Sequence, residues 1–173
     1  MTTATSTTTV RGHAGGVCAL LGAGIAILCG AYAAAARPAS PMDNLPGYWT
    51  GRGSVILGNG NRESVKCAVT YSVAGGGSHL RQHLRCASPS YNINASAVLR
   101  VSGRRITGSW EERSFSASGS ISGHVTGKGM ALTIRGSSFS AGMTVALSSC
   151  HQSINITPQG FDIRRISVGL GKC

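Results

Sequence analysis

The chain has 173 residues, with 16 Lys and Arg against 5 Asp and Glu, a formal net charge of +11, and 25 Gly. Charged residues make up 12% of it, about half the usual share, and glycine is about twice as frequent as in a typical domain. That composition excludes coiled coils, helix-rich folds and acidic disordered chains, and points to one Gly- and Ser-rich all-β domain.

Residues Met1–Gly16 hold one Arg and no acid, and Val17–Ala36 carries no charge. A cationic start, an apolar core and small residues at the end are the layout of a secretory signal. Ala31-Tyr32-Ala33 and Ala33–Ala36 offer the small-x-small pattern of a cleavage site, so residues 1–36 are read as a signal peptide cut between Ala33 and Ala36. An uncleaved membrane anchor is the alternative, because twenty apolar residues are long enough to cross a bilayer. Leu28 stands just before Cys29, close to where a lipidation motif needs a small residue, which argues against a lipoprotein. The expectation is an exported protein, periplasmic or extracellular. Its mature chain keeps 15 basic and 5 acidic residues, since residues 1–36 hold only Arg11.

Arg37–Pro46 has three prolines and reads as an extended lead-in. From residue 47 onward apolar residues recur with period two in runs bounded by Gly, Asn and Ser, the pattern of half-buried antiparallel strands. The runs are Tyr48–Leu57, Glu63–Val73, Leu80–Cys86, Ile93–Val101, Arg104–Glu112, Ser118–Thr126, Met130–Arg135, Phe139–Leu147, Cys150–Thr157 and Phe161–Leu170. Short connections favour a meander, and a meander of this size tends to close so that no long edge remains. A single antiparallel up-and-down β-barrel of 8–10 strands over residues 47–173 is therefore expected, with a two-sheet sandwich as the alternative.

The turn at Gly75-Gly76-Gly77-Ser78 sets a register. Centred between Gly76 and Gly77, it places Val73 opposite Leu80, Val69 opposite Leu84 and Cys67 opposite Cys86, apolar against apolar throughout. Two adjacent thiols in an oxidising compartment predict a Cys67–Cys86 disulfide. With Cys18 and Cys29 in the signal, Cys150 and Cys173 remain and pair by elimination, although Cys173 can also be a free or intermolecular thiol.

Sites for chemistry are sparse. Glu111 and Glu112 adjoin on one strand, so they face opposite sides and cannot serve one substrate as an acid/base pair. Gly123–Lys128 is one residue short of a phosphate-binding loop. His79 and His83 share a face about 13 Å apart, too far to hold one ion between them. No catalytic residue, metal site or cofactor is therefore expected, and the chain is read as not an enzyme. His79, Arg81, His83 and Arg85 instead alternate with apolar residues. With Lys66 on the neighbouring strand they form an outward basic patch, whose charge grows as histidines protonate below neutral pH. An anionic envelope polymer or lipid surface is a candidate partner; no recognition helix or basic and aromatic platform indicates nucleic acid.

Gly47-x-Trp49, in DNLPGYWTG, opens the first strand, and it resembles the Gly-x-Trp opening of lipocalins and other calycin barrels. The resemblance implies a secreted barrel around a small apolar ligand. It also implies that Trp49 closes one barrel end beneath a basic residue from near the C-terminus, Arg164 or Arg165. A second Gly108-x-Trp110 lies in the fifth run. The inward set combines Ala95, Ala97, Gly108, Gly119, Gly123 and Ala141 with Trp49, Tyr71, Trp110 and Phe139, residues that can line a pocket or let the barrel pack on itself. Two functions follow: a non-enzymatic exported barrel for a small apolar or amphipathic ligand, or a basic envelope-associated interaction or inhibitor protein that uses its outer face.

Overall fold

The structure is a computed structural model that describes residues 40–160 and 162–173. The expected signal segment lies outside the described residues. Among those described, ten strands follow one another along the chain: β1 (Gly47–Leu57), β2 (Arg62–Ala74), β3 (His79–Ala87), β4 (Asn92–Ser102) and β5 (Arg105–Glu112), then β6 (Ala117–Thr126), β7 (Gly129–Arg135), β8 (Ser140–Leu147), β9 (His151–Gln159) and β10 (Ile163–Gly171). Each pairs antiparallel with its neighbours in sequence, and β10 pairs with β1 to close the barrel. Closure leaves no unpaired edge of backbone donors and acceptors. The sandwich is thereby set aside.

The β2–β3 hairpin adopts the register that its apolar residues require, with Val73 opposite Leu80, Val69 opposite Leu84 and Cys67 opposite Cys86. A disulfide joins Cys67 to Cys86, their Cα atoms 4.1 Å apart. A second joins Cys150 to Cys173 at 5.3 Å. Alternation carries the same inward face around the barrel: Leu132, Met143, Ile156, Ile166 and Val55 meet in successive pairs. The resulting core includes Val55, Val65, Val69, Leu99, Ile106, Ile121, Leu132, Ile154 and Val168, all buried.

Closing β1 on β10 places backbone against backbone. A Cβ on Gly51 would stand 1.9 Å from the carbonyl oxygen of Gly169, and one on Gly53 would stand 2.0 Å from that of Ser167. These glycines let β10 lean over β1 where any side chain would hold it away, which is how glycine permits a barrel to bend.

The lead-in is more ordered than its prolines predict. Pro41–Asn44 forms one 3-10 turn. Met42 N–H donates to Ser40 Oγ (3.2 Å) and Ser40 N–H donates to the Asp43 carboxylate (2.8 Å). A side chain that accepts at a helix start while an acid three residues on reaches back is a capping box. The turn delivers Met42 and Leu45 into the barrel, where both are buried.

Gly51→Ala is expected to lower stability by about 1–3 kcal/mol, as overpacking does, in urea unfolding followed by tryptophan fluorescence. Gly142→Ala is the control, since a Cβ there meets nothing within 4 Å, and its effect should stay within about 0.5 kcal/mol.

Candidate functional site

The two barrel ends differ. At one end lie the β2–β3, β4–β5, β6–β7 and β8–β9 turns, the start of β1 and the C-terminus. Trp49 is fully buried there, and its indole N–H donates to the Leu45 carbonyl at 2.8 Å. Met42, Leu45 and Trp49 plug this end. Tyr71 and Gln152 complete it from β2 and β9: the Gln152 amide donates to the tyrosine oxygen at 2.9 Å. Burial pushes the Tyr71 phenol up to about 12 against the opposing hydrogen bond from Gln152, so it stays neutral.

The residue over Trp49 is Lys172. Its ammonium sits 4.9 Å from the ring centroid and donates to the carbonyls of Asn44 (2.6 Å) and Pro46 (3.2 Å). It thereby combines a cation–π contact with two hydrogen bonds that hold the lead-in. The Cys150–Cys173 bridge and a bond from Lys172 N–H to the Cys150 carbonyl (3.2 Å) fix the backbone that carries it. Arg164 and Arg165 do not take this role: Arg165 pairs with Ile56, at the far end of β1 from Trp49, and both arginines are exposed. The expectation failed because a residue's height in a barrel is set by its register against β1, and the last strand ends, not begins, beside Trp49.

The other end is built differently. Inward apolar side chains there, among them Leu57, Ile93, Trp110, Ile134, Ile156 and Ile163, are only half-buried. At the plugged end the half-buried inward residues are the rim positions Val73, Val101, Val125 and Leu147. One end is thus packed shut, and at the other, the cup end, inward apolar side chains keep partial contact with water. Trp110 stands in the cup wall, its N–H donating to the Arg135 carbonyl (3.2 Å) and its ring tilted against Phe139 with centroids 5.4 Å apart. Phe115, in the β5–β6 turn at the rim, is 60% exposed.

At this end Glu63 and Glu112 occupy inward positions, and both are engaged. Glu63 accepts from the hydroxyls of Ser88 (2.9 Å) and Ser90 and from Ser90 N–H (3.3 Å), bonds that hold it below the usual carboxylate range. Glu112 is 7% exposed. Burial raises its pKa, but N–H bonds from Asn94 (2.7 Å), Ser114 (3.0 Å) and Phe115 (2.7 Å) outweigh that and hold it below the ordinary value. It fastens the β5–β6 turn to β4. Glu111, its neighbour, points outward to Ser96 Oγ (2.8 Å) and to Arg113 (3.7 Å).

The basic residues Lys66, His79, Arg81, His83 and Arg85 lie exposed together on the outer faces of β2 and β3, away from the cup. Sequence reasoning missed Lys172, the Met42–Leu45 plug and the Glu112 turn brace. The plug had a legible signal, Ser40 followed by Asp43 before an apolar residue. Lys172 had none in its local pattern.

No protein-family model and no curated protein matches this chain. Among solved structures the barrel is similar to an S-type phycobiliprotein lyase from Guillardia theta, at 14% identity and a TM-score of 0.53, over 75% of this chain and 88% of that one. The likeness is one of fold, a closed antiparallel β-barrel. It overturns the expectation that the chain is not an enzyme, because a barrel of this architecture is itself named a lyase. Scarce carboxylates speak against hydrolytic acid/base chemistry, not against every reaction a barrel can host.

Glu112→Gln tests the turn brace. Its folded-state pKa lies below the unfolded value of about 4.3. The ionised group therefore contributes its stability in full above that value and loses it as pH falls through the folded-state pKa. The variant is expected to be about 1–3 kcal/mol less stable at pH 7, and the gap in urea midpoint should narrow when both proteins are unfolded at pH 3.

Proposed function

We propose that this protein is an exported small-ligand-binding barrel that takes an apolar or amphipathic molecule into the cup at its Trp110 end. The observation that carries the reading is the asymmetry of the barrel. Met42, Leu45, Trp49 and Lys172 close one end, while inward apolar residues at the other stay half-exposed. Apolar surface that folding leaves in contact with water inside a concave wall is surface a ligand can cover. Each such side chain then gains roughly the free energy of its remaining burial, about 25 cal/mol per Å². Trp110 and Phe139 supply aromatic wall, and Glu63 with the Ser88 and Ser90 hydroxyls that donate to it forms a polar stretch of the rim for the polar end of an amphiphile. Two disulfides support an oxidising destination, as does the charge-free segment Val17–Ala36 behind a cationic start. Among the described residues no helix is long and apolar enough to cross a membrane.

The two tryptophans make the test specific, since Trp110 lies in the cup wall and Trp49 in the floor plug. Titration with cis-parinaric acid is expected to saturate and to quench tryptophan emission by energy transfer. Trp110→Ala should weaken that binding about tenfold, the equivalent of about 1.4 kcal/mol. Tight saturable binding that Trp110→Ala leaves unchanged, or no binding at all, overturns the cup as the site. Solvent extraction and mass spectrometry of the natively purified protein then identify the molecule it carries.

A further inference from the structure

The outer surface of β1–β4 is strongly positive, and one carboxylate, that of Glu111 on β5, reaches its edge at Ser96. Outward positions of these strands hold Arg52, Arg62, Lys66, Arg81, Arg85 and Arg100, together with His79 and His83, all exposed. Arg52 lies directly across from Lys66, and Arg100 lies directly across from His79. Along β3, Arg81, His83 and Arg85 repeat every second residue, about 6.7 Å apart. Four of the five acids lie elsewhere, Asp43 in the lead-in, Glu63 bound to Ser88 and Ser90, Glu112 inside the barrel and Asp162 in the β9–β10 turn, while Glu111 on β5 sits at the border of the face between Ser96 and Arg113. Among the described residues none of the six Lys and Arg side chains of this face has an ion pair, the one pair being Arg113 with Glu111.

Like charges held side by side on a rigid sheet repel one another, and folding gains nothing from arranging them so. An external anion relieves that repulsion. The arrangement also distinguishes among anions. A shallow groove lined by Lys66, Ala68, Arg85, Ala87 and Asn94 crosses β2, β3 and β4, the short alanines lying between the long basic side chains. Exposed large apolar groups on this face are limited to Tyr48 and Val98. A membrane-docking face needs apolar side chains that enter the interface beside its cations; a linear polyanion needs only a spaced row of cations and room for its backbone.

We infer that the β1–β4 outer face is a binding surface for an extended anionic polymer, such as an acidic or sulfated glycan. The polymer lies along the Arg52–Lys66–Arg85–Arg81 row, and its bound counterions are released as the cations replace them. This surface is independent of the cup, since its side chains point the other way from every residue in that wall.

Binding of fluorescently labelled heparin, followed by anisotropy over a salt series, tests it. The full-length mature chain should bind with an affinity that falls steeply as salt rises. In Arg81→Ser/Arg85→Ser the slope of log affinity against log salt should drop by about two, one for each lost contact. Arg81→Lys/Arg85→Lys, which keeps the charge, should retain most of the binding. Lys128→Ser/Arg135→Ser removes the same charge from the β6–β7 region and should leave the slope within error of the native chain. Equal loss in the two Ser double variants overturns the inference, because net charge alone would then account for binding. So does retention on phosphatidylglycerol vesicles without binding to heparin, which would make the face a membrane surface. Parinaric acid binding unchanged in Arg81→Ser/Arg85→Ser verifies that the barrel is intact and keeps this result separate from that of the cup.

Discussion

Closure of the sheet, β10 on β1, is the constraint on which the rest depends. Ten strands joined in sequence would leave two long edges with unsatisfied backbone groups; pairing Thr50–Leu57 with residues of β10 satisfies both at once. It requires backbone contact that Gly51 and Gly53 permit and a side chain would forbid. Because closure turns every strand's alternate residues to one interior, the apolar set becomes a core with no second sheet to pack against. The same closure brings the C-terminus back to the start of β1, which is why Lys172 reaches Trp49.

From that juxtaposition comes the asymmetry of the barrel. The N-terminal turn and the C-terminal lysine meet at one end and close it, and the Cys150–Cys173 bridge holds the segment that does so. Among the described residues nothing comparable crosses the other end, where five turns surround inward apolar residues that are still half in contact with water. Glu63 and Glu112, inward carboxylates of this end, are occupied in bracing the β3–β4 and β5–β6 turns. Their lowered pKa values report structural anchoring. These braces hold the turns around inward side chains that keep partial contact with water.

Much of this was legible in the residues. Period-two alternation located ten strands to within a few positions, and the glycine turn at residues 75–77 set a register that placed Cys67 beside Cys86. The weakest readings concerned residues whose neighbours are distant in sequence. Three prolines implied an extended lead-in, yet burial of Met42 and Leu45 against Trp49 made Pro41–Asn44 fold into a turn. The place over Trp49 was assigned to Arg164 or Arg165 by resemblance, whereas strand register gave it to Lys172. The exclusion of enzymatic activity rested on absent carboxylate pairs, a criterion suited to hydrolases, and likeness to a barrel named as a lyase removed it.

The sequence alone determined what local chemistry can determine: the strand period, the inward and outward faces, the β2–β3 register with its cysteine pair, and an excess of positive charge on outward positions. These follow from alternation, which any short segment expresses without reference to the rest of the chain. Only the tertiary structure decided which end of the barrel is plugged, which lysine caps the tryptophan, and that Arg52 and Arg100 extend the basic face beyond β2 and β3. Those depend on the stagger between strands and on where a closed sheet brings its first and last residues together. Stagger is a property of the whole ring of pairings, and no single strand encodes it.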